Sequence, residues 1–134
     1  MSMESASFSS EVLAYIEEEY GVKPEFLWAK SPNNAAIRHE QSKKWFAALL
    51  LDMPRKTVGL RGDGCVDILN VKCDPRVIGS LIDGEKYLRG YHMNKEHWLS
   101  IVLDGSAPLA DICALVYMSY ELTKPKIKKK SPSR

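Results

Sequence analysis

The sequence predicts an α+β domain: an antiparallel sheet with helices from the two ends of the chain packed on it. Three observations carry this. Apolar residues recur at helical spacing near the N-terminus and again after residue 108, the runs between them are short and bounded by turn residues, and no strand-helix-strand repeat occurs. At 134 residues the chain has the size of one domain, and 45% hydrophobic with 27% charged residues suits an ordinary globular core. Residues 1–123 read as that single domain and residues 124–134 as a basic disordered tail, since a lysine- and proline-rich segment buries too little apolar area to fold.

The elements follow in order. Phe8, Val12, Ile16 and Tyr20 fall four apart with Leu13 beside them, an apolar stripe along one helix face, with Ser7 or Ser9 as cap and Gly21 as stop. Residues 26–30, 35–39 and 43–51 are short runs parted by turn-forming sequence and predict a three-stranded meander. A fourth strand, residues 65–73, places Val66 and Ile68 opposite to Leu69 and Val71. The connection over residues 53–64 is longer than a hairpin needs and makes a candidate binding arm. Asp74-Pro75 has the form of a helix start, with Val77, Ile78, Leu81 and Ile82 as the buried stripe. A connector over residues 87–96 leads to a strand at 98–103. Pro108 then opens a last helix in which Leu109, Ile112, Cys113, Val116 and Tyr120 face inward.

Several function classes are excluded or left without support. The longest apolar run, residues 45–51, is too short to span a bilayer, and the N-terminus lacks the basic and apolar regions of a secretory signal, so the expected location is the cytoplasm, away from membranes. Cys65, Cys73 and Cys113 form no C-x-x-C pair and read as buried free thiols. The glycine-rich stretch 59–64 lacks Gly-Lys-Ser/Thr and leads into a strand, so it is a turn and not a phosphate loop. His92 and His97 lie five apart with no third ligand cluster, which argues against zinc, and adjacent Glu17, Glu18 and Glu19 point in different directions and chelate poorly. No catalytic constellation, cofactor or metal is expected, and the protein reads as a non-enzyme.

Charge is unevenly placed. The formal total is +2, but the six cations after Glu121 leave the body at −4, and the first 25 residues alone carry −5. Basic residues concentrate instead between Arg38 and Arg61.

The stretch 69–75 (Leu-Asn-Val-Lys-Cys-Asp-Pro), then 90–98 (Gly-Tyr-His-Met-Asn-Lys-Glu-His-Trp), Leu103-Asp-Gly105 and Met118-Ser-Tyr-Glu-Leu122 resembles the MmcQ/YjbR family. The resemblance covers roughly residues 11–123, with the runs at 26–28 and 43–47 fitting it too. It implies a frataxin-like (CyaY-like) fold whose sheet is described as double-wing and DNA-binding-like, and it maps the shared surface onto His92, Asn94, Lys95, His97 and Trp98. DNA is therefore the first expected partner, with Lys43, Lys44, Arg55, Lys56, Arg61 and Lys95 pairing phosphates. The alternative is a module for a protein or small ligand that uses the region from His92 to Trp98.

Overall fold

Alternation along one strand decides the layering. In β3 (Cys65–Lys72), Leu69 and Val71 point to one side of the sheet and Val66 and Ile68 to the other, and all four are buried. A strand apolar on both faces needs cover on both. The computed structural model, which describes residues 3–30, 34–91 and 96–124, supplies it unequally. On the Leu69 side, α1 (Met3–Tyr20) brings Val12 and Ile16, and α3 (Leu109–Thr123) brings Ile112 and Val116, into the main core. On the Ile68 side a smaller core gathers Leu50, Leu88, Val102 and Leu60.

The sheet is wholly antiparallel in the order β1-β2-β3-β5-β4, with β1 spanning Ala35–Arg38, β2 Trp45–Pro54, β4 Tyr87–Arg89 and β5 Trp98–Val102. Between β3 and β4 lies α2 (Pro75–Leu81), capped by the Asp74 carboxylate on the Arg76 N–H at 2.8 Å. The α+β class read from the sequence is the one observed. No helix among the described residues is long and apolar enough to cross a membrane.

Several expectations are corrected. Residues 26–30 form no strand: the chain touches the sheet edge through one bridge, Glu25 to Ala36, and leaves Phe26 and Leu27 exposed. Helix α1 already includes Met3, so neither Ser7 nor Ser9 caps it. Ser9 is buried within it and donates its hydroxyl to the Asp67 carboxylate. Gly21 does end the helix, at φ +67°. Strand β2 runs on to Pro54 past a register shift between Leu50 and Met53, which takes part of the expected arm into the sheet. The remainder, residues 55–64, folds back so that Leu60 is buried in the smaller core, an anchor worth roughly 1.5–3 kcal/mol. The expected connector at 87–96 begins as β4. Val77 and Leu109 are exposed at 40% and 36%, outside the stripes drawn for them. Cys73 is buried as expected and Cys113 half-buried, but Cys65 is exposed.

Candidate functional site

Strand β2, about 30 Å long, separates two ends of the sheet. The β1–β2 turn, the last residue of β3, the first residue of β5 and the last turn of α3 meet at one of them, the hairpin end. The β2–β3 loop and the start of α3 mark the other, the loop end.

At the hairpin end, His39 ties the turn to α3. Its N–H donates to the Lys44 carbonyl at 2.8 Å, its carbonyl accepts from the Lys43 N–H at 3.0 Å, and its ring Nε2 lies 2.8 Å from the Thr123 hydroxyl. The imidazole packs on Tyr120 at 4.4 Å and is nearly inaccessible, so burial pushes its pKa down. The Tyr120 backbone opposes this shift, and Lys124 and Lys44 add to it. This tie brings exposed Lys43 and Lys44 to the end from which the chain leaves α3 at Lys124.

Lys72, the last residue of β3, shares the Ile68 face by alternation and sets its ammonium 5.5 Å from the ring centre of its cross-strand partner Trp98. A register shift leaves Phe46 as the extra residue of β2, turned with Ala47 into the main core against Tyr20 and Tyr120; Trp45 lies opposite Arg38, the strand neighbour of core-facing Ile37, and so takes the other face, packed edge-on against Trp28 at 5.6 Å. Two other cations here are neutralised in place. Arg38 is paired with Glu25, and Arg76 with Asp74, whose carboxyl the Arg76 side chain and then its backbone N–H hold down at about 2. Among the described residues, Lys43, Lys44 and Lys72 have no carboxylate at ion-pair distance.

A buried polar cluster supports this region. Ser100 donates to the Asn70 side-chain oxygen, the Asn70 amide donates to the Tyr91 carbonyl at 2.9 Å, and the Tyr91 N–H donates to Ser100 Oγ at 2.9 Å. Both backbone groups of Tyr91 are thus pinned to the sheet just before residues 92–95. Sequence reasoning gave Asn70 and Ser100 no role, although each is an uncharged polar residue flanked by apolar neighbours within a strand, a signal that a buried partner must exist. Ser119 was missed for the same reason. Its hydroxyl joins the Phe46 carbonyl (2.6 Å) to the Lys72 N–H (2.8 Å) beneath α3.

The residues predicted for a binding surface divide. Lys43 and Lys44, in the β1–β2 turn, and Trp98, across β3 on β5, all lie at the hairpin end with half-buried His97, whose carbonyl accepts from the Cys73 N–H at 2.7 Å. His92, Asn94 and Lys95 lie outside the described residues. Arg55, Lys56 and Arg61 belong to the loop end and do not join the first group. Arg55 Nε donates to the Arg61 carbonyl at 2.6 Å, and Lys56 lies 3.9 Å from Asp63.

Two hollows complete the picture. One of about 600 Å³ at the loop end is bordered by Leu13, Leu51 and Leu103 and by Asp52, Asp67 and Asp104. Another, about 540 Å³, lies between Arg76 and Ile78 of α2 and Arg89 and Glu96. No group of three His, Cys, Asp or Glu among the described residues could hold a metal ion.

Comparison with known proteins returns one family and one fold. The YjbR family model matches residues 18–122. The uncharacterized Bacillus subtilis (strain 168) protein YyaQ is 44% identical over 114 residues, 85% of this chain and 96% of YyaQ. A Pseudomonas syringae protein solved by crystallography is 36% identical with a TM-score of 0.82, over 86% of this chain and 97% of that one. A Deinococcus radiodurans crystal structure, 21% identical with a TM-score of 0.66 over 91% of this chain and 82% of that one, shares the fold.

Proposed function

The chain belongs to the YjbR family, and from that premise we propose that it is a non-catalytic DNA-binding protein that meets its partner with the hairpin end of the sheet. One observation carries the reading: Lys43, Lys44 and Lys72 gather at that end without carboxylate partners among the described residues. An ammonium already spent on a local carboxylate releases few counterions when it meets a phosphate, whereas an unspent one contributes in full. Of the body's acids, Asp52, Asp67 and Asp104 stand at the loop end, away from these lysines, whereas the last turn of α1, with Glu17, Glu18 and Glu19, reaches the hairpin end, where Tyr20 packs on Tyr120 and Phe46. The non-catalytic part rests on the side chains at hand. Burial raises the Cys73 and Cys113 thiols, which leaves them protonated and poor nucleophiles, and the Ser9, Ser100 and Ser119 hydroxyls are occupied in structural hydrogen bonds.

The test is fluorescence anisotropy with labelled DNA at about 50 and 150 mM salt, comparing the full chain with one ending at Lys124. Binding that survives truncation and weakens steeply with salt supports the reading; binding that disappears with the tail rejects it.

A second reading, a small-ligand module, is favoured by the hollow between α2, Arg89 of β4 and Glu96. It predicts binding there that salt leaves unchanged.

A further inference from the structure

We infer that the strand taken by the hairpin end is single-stranded DNA, its unpaired bases stacking on Trp28, Trp45 and Trp98 while Lys43, Lys44 and Lys72 hold its phosphates. This deepens the DNA-binding reading and rests on it. The chain has three tryptophans, and all three stand at this end of the sheet. Trp45 on β2 and Trp98 on β5 stand on either side of β3, whose Lys72 sets its ammonium 5.5 Å from the Trp98 ring centre. Trp45 lies opposite Arg38, the strand neighbour of core-facing Ile37, which puts it on the face away from α1 and α3, and register puts Trp98 on that face as well.

All three indoles are half-buried and so keep part of their surface in water. Leu27, beside Trp28, is 48% exposed. Core formation does not account for this placement, since none of the three belongs to either apolar core. Indoles interleaved with unpaired lysines on a sheet suit bases that are free to stack. A duplex keeps its base faces inside the helix and would engage the lysines alone. All three tryptophans stand at the hairpin end, so Arg55, Lys56 and Arg61 at the loop end have no indole beside them; Tyr91 packs on the smaller core and Phe26 borders the loop-end hollow.

The test titrates the full chain with a 12-nucleotide oligodeoxythymidine and with a 12-base-pair duplex at one salt concentration, reading tryptophan fluorescence and anisotropy together. Every tryptophan lies in the proposed site, so quenching reports on it directly. The single strand is expected to quench and to bind about tenfold more tightly than the duplex. Trp28→Leu and Trp98→Leu keep apolar volume but remove the indole; each is expected to weaken the single strand about tenfold, down to the affinity of the duplex for the parent. Amide NMR spectra establish that each variant is folded, and Trp28→Leu, at the periphery, stands in if Trp98→Leu is not. Equal or tighter duplex binding, or leucine variants that bind the single strand like the parent, would overturn the inference while leaving the DNA-binding reading intact. Failure of both nucleic acids to bind would remove both.

Discussion

Basic residues keep different company at the two ends of the sheet. At the loop end, Arg55 spends its Nε on the Arg61 carbonyl and Lys56 stands near Asp63, so those charges help shape a loop whose Leu60 is sunk in the smaller core. At the hairpin end, Lys72 lies against Trp98, and Lys43, Lys44 and Lys72 have no carboxylate at ion-pair distance among the described residues. In sequence Lys43 and Lys44 belong to the same basic stretch as Arg55, Lys56 and Arg61. The lesson is that charge density along a chain does not locate a binding surface; what each charge is already bonded to does.

The largest expected effect separates the ends by placing one substitution in each. A Cβ on Gly90 would lie 2.6 Å from the Trp98 Cβ and 2.9 Å from its carbonyl oxygen, where the backbones of β4 and β5 draw together. Gly90→Ala must push the strands apart and is expected to cost about 3 kcal/mol in denaturant unfolding. Gly64, at the loop end, has φ +92° and open space around it, so Gly64→Ala meets only backbone strain, about 1–2 kcal/mol. Equal costs at the two sites would mean that the contact with Trp98 is not what fixes Gly90.

Charge reversal tests the ends for function. The double variant Lys43→Glu with Lys44→Glu is expected to weaken DNA binding at least about tenfold and to flatten the salt slope by roughly two. Arg55→Glu with Arg61→Glu should leave affinity and slope near those of the parent. The reverse ranking would move the interface to the loop end.

Acid should loosen the hairpin end first. Burial holds the His39 pKa below its ordinary value, so the folded protein binds that proton less readily than the unfolded chain. The stability tied to neutral His39 is complete above the unfolded value of about 6.5 and is lost as pH falls through the lower folded value. At the loop end, burial of Asp83 would raise its pKa, but the N–H groups of Tyr87, Glu85 and Lys86, together with the Lys86 ammonium, hold it well below the carboxylate range. Its contribution persists above the unfolded value of about 3.9 and falls away only in stronger acid. Denaturation midpoints should therefore decline first just below pH 6.5, and His39→Gln should remove that first decline while sparing the second.

Much of the fold was legible because it depends on local period and local caps. Val66 and Ile68 against Leu69 and Val71, the Asp74-Pro75 start of α2 and the Gly21 stop of α1 each announce themselves within a few residues. The failures are long-range. Ser9 looked like a cap, but its partner Asp67 is 58 residues away, and the helix could extend past it because that partner satisfies the hydroxyl. Residues 26–30 have strand composition, yet only Glu25 reaches the sheet edge, and Trp28 packs on Trp45 instead. The site divides in the same way. Lys43, Lys44 and Trp98 could be proposed from sequence, whereas Lys72 could be added only once β3 and β5 were seen in register.

The smallest expected effect is also the most discriminating, because stability and binding should move in opposite directions. Lys43 has φ +67° in the tight turn closed by its N–H on the His39 carbonyl, a conformation that glycine adopts without strain and lysine does not. Asp52, at φ +56° in the β2 irregularity, is its counterpart toward the loop end, but there the backbone N–H is held by the Asp67 carboxylate at 3.0 Å. The turn gives Lys43 no comparable side-chain partner, since the Lys43 ammonium has no ion pair among the described residues. Lys43→Gly should then raise stability by up to about 1 kcal/mol by relieving the left-handed strain, while weakening DNA binding severalfold through the lost charge. Lys43→Asn, which tolerates the same conformation, should reproduce both changes. A stabilised variant that bound DNA like the parent would mean that the strained lysine serves the turn alone, and the hairpin end would lose one of its three unpaired cations.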